Sequence, residues 1–461
     1  MSKRVVIVGG GFAGVSAAQE LTRRLKRERR LSRPESPRPD GVEVVLLNRD
    51  NYFVFQPLLA DIISGTIETT HVVVPLRRML PDCQVEVGYV SAIDVANKTV
   101  SLTRRLSGMT TAIDYDALII AIGSVTDLDT VAGMAEHSVG IRTLGDAFYL
   151  RNRALDMLEE ARIEKDEVRR RRLLTFVVVG GGSTGVEIAA ELKDLVELAA
   201  TSFNDVRLEP RVVLVHSRPI VLAELGERLG RYATKKLRAG GIDLRLGRRV
   251  SRVEADRVEL DDGTSVDAET VISTVGNAPN PVLATLPTTR DARGWPTPDA
   301  TFALPGVEDV WAVGDCASIT DPHTGRPMPA TAQHAVREGP HVARNVLAAL
   351  DGRPQTPFSY GQLGMLVSVG RFKAVGELLG IKVSGIVGWF FWRSYYLLRL
   401  PTWDRRIRVA LDWTLDLVLK HDIVEISVRR TRAYPGESPG ESAGEPVSVG
   451  ARPEAPDELV M

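Results

Sequence analysis

Cysteine is nearly absent: Cys83 and Cys316 are the only two in 461 residues. They stand far apart, which excludes a disulfide-stapled scaffold and any CxxC or CxxxxC redox pair, and fits a reducing compartment. No uncharged apolar run reaches about 18 residues, so no transmembrane helix is expected. After Met1-Ser2-Lys3-Arg4 only four apolar residues precede a glycine, so no secretory signal peptide is expected either. Charge of one sign is also missing. A net charge of -1 gives no global steering field, and electrostatic function must come from local patches. The runs Arg23 to Arg30 and Arg169 to Arg172 lack interleaved aromatics and read as solvated helix faces, not nucleic-acid surfaces. No metal-ligand set is read from the sequence.

What is present is a repeated grammar. Val5-Val6-Ile7-Val8 reads as a buried parallel strand. Gly9-x-Gly11-x-x-Gly14 follows, then a helical stretch from Val15 to about Arg30, then a Ser/Pro-rich exposed loop at 32–39 and a strand from Val42 to Leu47. At a spacing of 171 residues the pattern returns: a strand at Phe176 to Val179, glycines at 180, 182 and 185, a helix to about Ala200, and a strand from Arg211 to Val215. In such a turn the first glycine makes the tight bend, the second lets backbone approach a pyrophosphate, and the third lets helix and strand pack closely. The helix N-terminal N–H groups then face the phosphates. A single GxGxxG is a weak signal; two copies with strand, helix and second strand in place imply two dinucleotide sites. The expected fold is α/β, with two Rossmann-like dinucleotide-binding domains like those of glutathione reductase but without redox cysteines, plus a C-terminal helical region.

Further candidates follow from position. Asp114 to Gly123 and Thr270 to Gly276 each read as a strand ending in a glycine turn, as does Val310 to Asp315. Asp315 after a buried strand is placed to accept from a ribityl hydroxyl of FAD, or to cap a helix. Glu187, on the first turn of the second glycine helix, is either a helix-dipole partner or a polar group near the flavin. The ribose ends are irregular. Where Asp or Glu is usual, this chain has Asn48 and His216. Asn48 can still meet a ribose, whereas His216 with Arg218 leaves NADH and NADPH both open.

From residue 361 to 432 there are twice as many Lys and Arg as Asp and Glu, and the segment contains Gly385-Ile386-Val387-Gly388-Trp389-Phe390-Phe391-Trp392. Ile407, Leu411, Leu415, Val418 and Leu419 follow a helical stripe. Basic residues with Trp and Tyr suit a bilayer interface; packing on the flavin domain or in a dimer seam is the alternative. From Pro435 the composition is that of a disordered tail.

The motifs together resemble the type II NADH:quinone oxidoreductases. Strand-GGGFAG, Asn51 to Leu59 (NYFVFQPLL), GGGSTGVEIAAEL, WAVGDCA, ATAQHAVREG and the Trp-rich C-terminus carry the likeness, from about residue 3 to 428. The resemblance implies transfer of a hydride from NADH or NADPH to FAD and reduction of a membrane quinone, menaquinone or ubiquinone, without proton pumping. It implies FAD contacts at Gly9, Gly11, Ala13, Gly14, Asn48, Gln56, Gly123, Gly314 and Asp315. Nucleotide contacts are implied at Gly180, Gly182, Ser183, Thr184, Gly185, His216 and Gly276. Glu187, Gln333 and Arg337 are the expected catalytic residues. Arg337 departs from the family's AQxAxQ pattern. The expected partition is 1–145 and 281–360 for FAD, 146–280 for the nucleotide, 361–432 for membrane and dimer contact, and 433–461 as tail. A homodimer, peripheral on the cytoplasmic face of the inner membrane, is expected. The missing cysteines argue against disulfide, peroxide and sulfide chemistry. Reduction of a ferredoxin-like protein and a slow flavin redox sensor stay open.

Overall fold

The computed structural model describes residues 2–33, 35, 36, 38, 40–419 and 422–425. The expected disordered tail, 433–461, lies outside the described residues. Two five-stranded sheets, each wholly parallel, organise the chain. The first runs in the order Val310–Ala312, Ala117–Ile120, Lys3–Val8, Val42–Asn48, Gln84–Val87. The second runs Ser138–Gly140, Thr270–Ser273, Thr175–Val179, Arg211–His216, Asp243–Leu246. Four strands of each order correspond, so the repeated grammar of the sequence is a repeated topology; the edge strand differs, coming last in the chain in the first sheet (310–312) and first in the second (138–140). In each sheet the central strand has neighbours on both sides and is apolar on both faces, as a parallel strand between helix layers must be: Val5 to Val8 and Phe176 to Val179 are buried. The helix after each glycine turn, Phe12–Arg27 or Ser183–Ala200, starts at the carboxyl end of that strand, where the strand order reverses.

The first sheet is built from distant segments. Residues 310–312 return to pair with 117–120, and the helix Ala332–Leu350 packs on the first glycine helix. Ser138–Gly140 already belongs to the second sheet. A two-stranded ribbon, Ser124–Thr126 against Asn277–Pro279, joins the two modules just beyond the glycine turns at 123 and 276.

Three readings of local structure change. Asp114 closes an antiparallel hairpin strand, Thr110–Asp114, and the parallel strand begins only at Ala117, because Tyr115 and Asp116 turn the chain between sheets. The loop at 32–39 is not wholly exposed: Ser32 is buried and its hydroxyl accepts the Arg38 N–H at 3.1 Å. The C-terminal region begins as a three-stranded antiparallel sheet, Gly364–Ser368, Ala374–Leu378 and Ile381–Ser384, before its helices Gly385–Arg399 and Trp403–Leu415. Its strands are short and the turns between them carry Gly370 and Gly380 at positive φ, so the apolar residues never settle into a long period-2 pattern that sequence alone exposes.

Candidate active site

The two glycine turns are superimposable in their logic. Gly9 and Gly180 adopt φ of +108° and +117°, open only to glycine at little cost. A Cβ on Gly14 would lie 1.9 Å from the Gly9 carbonyl oxygen, and one on Gly185 would lie 2.0 Å from that of Gly180. Gly11 faces open space, and neither helix start carries a side-chain cap. The uncapped N–H groups and the open space over Gly11 suit a pyrophosphate; over Gly182 the nearest atom, Glu224 Oε1, stands 3.9 Å from a Cβ placed there.

Both helix starts reach one cavity of about 520 Å³, within the range of cofactor and substrate clefts. Gln56, Ser183, Thr184, Glu187, Gly276, Asp315, Gln333 and Arg337, all picked out in the sequence, line it. Asn48 and His216 do not reach this cavity; each lies under its own glycine turn. Asn48 Oδ1 accepts the Gly10 N–H at 2.8 Å, and His216 Nδ1 accepts the Gly181 N–H at 3.1 Å. Gly314 turns at φ +72° against the Cβ of Ala13, and Gly123 faces open space.

Glu187 forms part of the wall. One of its carboxyl oxygens accepts the Ser368 N–H at 3.0 Å and the Trp392 indole N–H at 3.3 Å. Burial pushes its pKa up to about 8 against the pull of those two donors, and the nearby Asp61 carboxyl adds to the rise. The group is therefore protonated at neutral pH. Glu187 thus lines the cavity as well as standing near the start of its helix. Gln333 is tied by its amide: Oε1 accepts from Tyr360 OH at 3.0 Å and Leu363 N–H at 2.7 Å, while Nε2 donates to the Gly364 carbonyl at 3.3 Å. Arg337 donates to the Gln333 carbonyl at 3.0 Å and stacks over the Tyr360 ring at 4.4 Å. Among the described residues it has no ion-pair partner, so its charge is open to the cavity.

Residues that sequence reading missed complete the site. Glu338, buried, accepts the Gly314 N–H at 2.6 Å and so fixes the turn that carries Asp315. Burial raises its pKa to about 7, and Asp315 adds to the rise. It lies inside ATAQHAVREG, next to Arg337, which was the available signal. Arg142 holds the inter-module ribbon, donating to Ser124 Oγ and to Asn277 Oδ1 at 3.2 Å, and lines the cavity near Asp315. Behind Glu187 lies a buried polar cluster. Asp61 and Glu191 are held well above the usual carboxylate range by burial, close to the Arg393 guanidinium. Arg393 pairs with Asp416 at 3.1 Å and stacks between Trp389 and Trp413 at 4.2 and 5.0 Å. An aromatic wall runs from Phe12 through Phe55 and Tyr396 to Trp392 and Trp413. It explains NYFVFQPLL as packing between the first glycine helix and the C-terminal helices. The Cys316 thiol is buried, donates to the Ile120 and Val313 carbonyls, and is pushed up to about 12 by burial. It is no nucleophile.

Comparison with known proteins gives the family and the fold. Residues 3–339 match the pyridine nucleotide-disulphide oxidoreductase family, and residues 362–419 match the NDH2 C-terminal domain. The chain is 32% identical to the mitochondrial internal alternative NAD(P)H-ubiquinone oxidoreductase A1 of Arabidopsis thaliana, over 92% of this chain and 86% of that one. It is 30% identical to the type II NADH:quinone oxidoreductase Ndh of Mycobacterium tuberculosis, over 89% of this chain and 87% of that one. In fold it is similar to NDH2 from Plasmodium falciparum, solved in complex with NADH, with a TM-score of 0.81 at 17% identity, covering 92% of this chain and 100% of that chain. By the family match, the C-terminal domain and these relatives, the chain belongs to the type II NADH:quinone oxidoreductase branch of the pyridine nucleotide-disulphide oxidoreductases.

Proposed function

We propose that the chain is a single-subunit NAD(P)H:quinone oxidoreductase with FAD at the first glycine turn and NADH or NADPH at the second. The observation that carries this reading is the shared cavity: two uncapped helix starts, from Gly11 and Gly182, open onto one cleft whose far wall holds Gln333 and Arg337. The isoalloxazine, when bound, supplies the two-electron chemistry between nucleotide and quinone. Gly9 to Gly14, with Asp315 on the turn that Glu338 fixes through the Gly314 N–H, orient FAD. Gly180 to Gly185 orient the nucleotide. Glu187 holds a proton at neutral pH in a water-poor wall and offers it to an oxygen in the cavity. Arg337 offers N–H donors and positive charge to a quinone oxygen that gains negative charge. Phe55, Tyr396 and Leu366 exclude water and give an apolar passage for the quinone ring.

The C-terminal helices carry the membrane part of the reading. Ile386, Val387, Phe390, Phe391, Leu398, Trp403, Ile407, Leu411 and Leu415 are exposed, an apolar face flanked by arginines. Among the described residues no helix is long and apolar enough to cross a membrane. Such a face lies in a bilayer interface, and its basic residues favour the anionic cytoplasmic leaflet. A homodimer that keeps this face free for lipid is part of the same reading, checked by light scattering after gel filtration. For the activity, the test is stopped-flow bleaching of the flavin by NADH and by NADPH, then reoxidation by menaquinone and ubiquinone analogues. Fast bleaching and fast reoxidation are expected. Bleaching without reoxidation by any quinone would replace the quinone with a protein acceptor.

A further inference from the structure

The second ribose end has a chemistry of its own. His216 ends the strand Arg211–His216, and its Nδ1 accepts the Gly181 N–H. The ring is pressed under the turn: a Cβ on Gly181 would stand 2.6 Å from His216 Cγ. An imidazole that accepts at Nδ1 carries its proton at Nε2 when neutral. Burial, and then the neighbouring Arg218 cation, hold the ring below the usual histidine range and keep it neutral. The residue at the position that normally carries a carboxylate therefore has an N–H donor as its remaining ring nitrogen and no acceptor.

The residues that follow extend this donor set. Ser217 and Arg218 are exposed. Their backbone is fastened, since the Arg248 N–H donates to the His216 carbonyl at 3.1 Å and the Gly247 N–H donates to the Arg218 carbonyl at 3.0 Å. Of the neighbouring arginines, Arg248 pairs with Asp262 at 2.6 Å and Arg245 with Asp243 at 3.2 Å. Arg218 has no ion-pair partner among the described residues. Glu224 stands on the Gly182 side of the turn, its Oε1 3.9 Å from a Cβ placed there. A carboxylate at the strand end repels a ribose 2'-phosphate, whereas an arginine just beyond it neutralises one.

We infer that His216, Ser217 and Arg218 form a 2'-phosphate subsite, and that the chain takes NADPH in preference to NADH. The inference rests on the reading of Gly180 to Gly185 as the nicotinamide dinucleotide turn, and it names the substrate of that turn. The test is calorimetric titration of the FAD-loaded protein with 2',5'-ADP and with 5'-AMP, which differ only in the phosphate at issue and require no turnover. At low salt 2',5'-ADP binds at least about tenfold more tightly, and the gap narrows as salt rises. Arg218→Ser, an exposed substitution, reduces the gap to less than about threefold and leaves 5'-AMP affinity unchanged. His216→Glu reverses the order. Equal affinity of the two compounds for the wild type, or an undiminished gap in Arg218→Ser, overturns the inference. Failure of both compounds to bind overturns the dinucleotide assignment of the turn itself.

Discussion

Gly314 donates its backbone N–H to a carboxylate that arrives from a helix two dozen residues later. Nothing in local spacing announces the Glu338 contact, because it depends on how Ala332–Leu350 docks against the first helix. The glycine turns, by contrast, were legible, since their requirements are met within six residues. Asn48 and His216 were legible as departures but not in their role. Only the folded chain brings each under its own turn. Glu338→Ala leaves a buried N–H without an acceptor, a loss of about 1–3 kcal/mol. It is expected to weaken FAD binding about tenfold, read by titrating the apoprotein with FAD, while Glu338→Gln keeps most of the affinity. Glu187 gives a pH prediction. With its pKa raised to about 8, it stays protonated in the folded chain where the unfolded chain ionises it. The folded chain binds more protons there, so this group's contribution to stability falls as pH rises from about 5 to about 8 and is level above that. Melting curves of Glu187→Gln should decline less steeply across that window. Quinone-driven reoxidation by the wild type should slow above about pH 8 as the proton is lost, and that alkaline limb should vanish in the variant. Arg337→Gln should change the quinone KM severalfold and leave flavin reduction by the nucleotide as it was. An unchanged KM would remove Arg337 from the quinone site.

Among elements, the C-terminal helices are the pair whose two faces do different things. The inner face packs Trp392 and Trp413 against the cavity wall, while the outer face leaves Ile407, Leu411 and Leu415 exposed. The sequence revealed the outer face because a stripe at helical spacing is visible in one segment. It hid the inner one, where Arg393 pairs with Asp416 across the two helices and lies between their tryptophans. Arg393→Ala removes a buried charge partner and is expected to lower stability by about 3–5 kcal/mol in urea melts. The double change Ile407→Glu with Leu411→Glu touches the outer face alone. It should cut co-sedimentation with anionic liposomes at least about tenfold and spare turnover of a water-soluble short-chain quinone. Retained co-sedimentation would assign that face to a contact between subunits. The three-stranded sheet at 364–384 escaped the sequence for a related reason. Its strands are four or five residues long, and the last residue of the first, Ser368, spends its N–H on Glu187.

At the scale of the whole molecule the class of fold was legible because the same strand-turn-helix signal occurs twice. The closure of the first sheet was not. The strand at 310–312 reads as one more apolar run until its partner at 117–120 is known. That pairing sets an order on synthesis. The strands of the second sheet all lie between residues 138 and 273, whereas the first sheet waits for residue 312 and for Glu338 behind it. A chain emerging from the ribosome thus completes the second sheet while the first still lacks its strand at 310–312. Released chains truncated near residue 300 should resist brief proteolysis in the 138–273 region and bind no FAD. Chains extended past residue 360 should gain FAD binding. The molecule proposed to end as a relay between two cofactors thus builds the sheet behind one seat first and closes the sheet behind the other last.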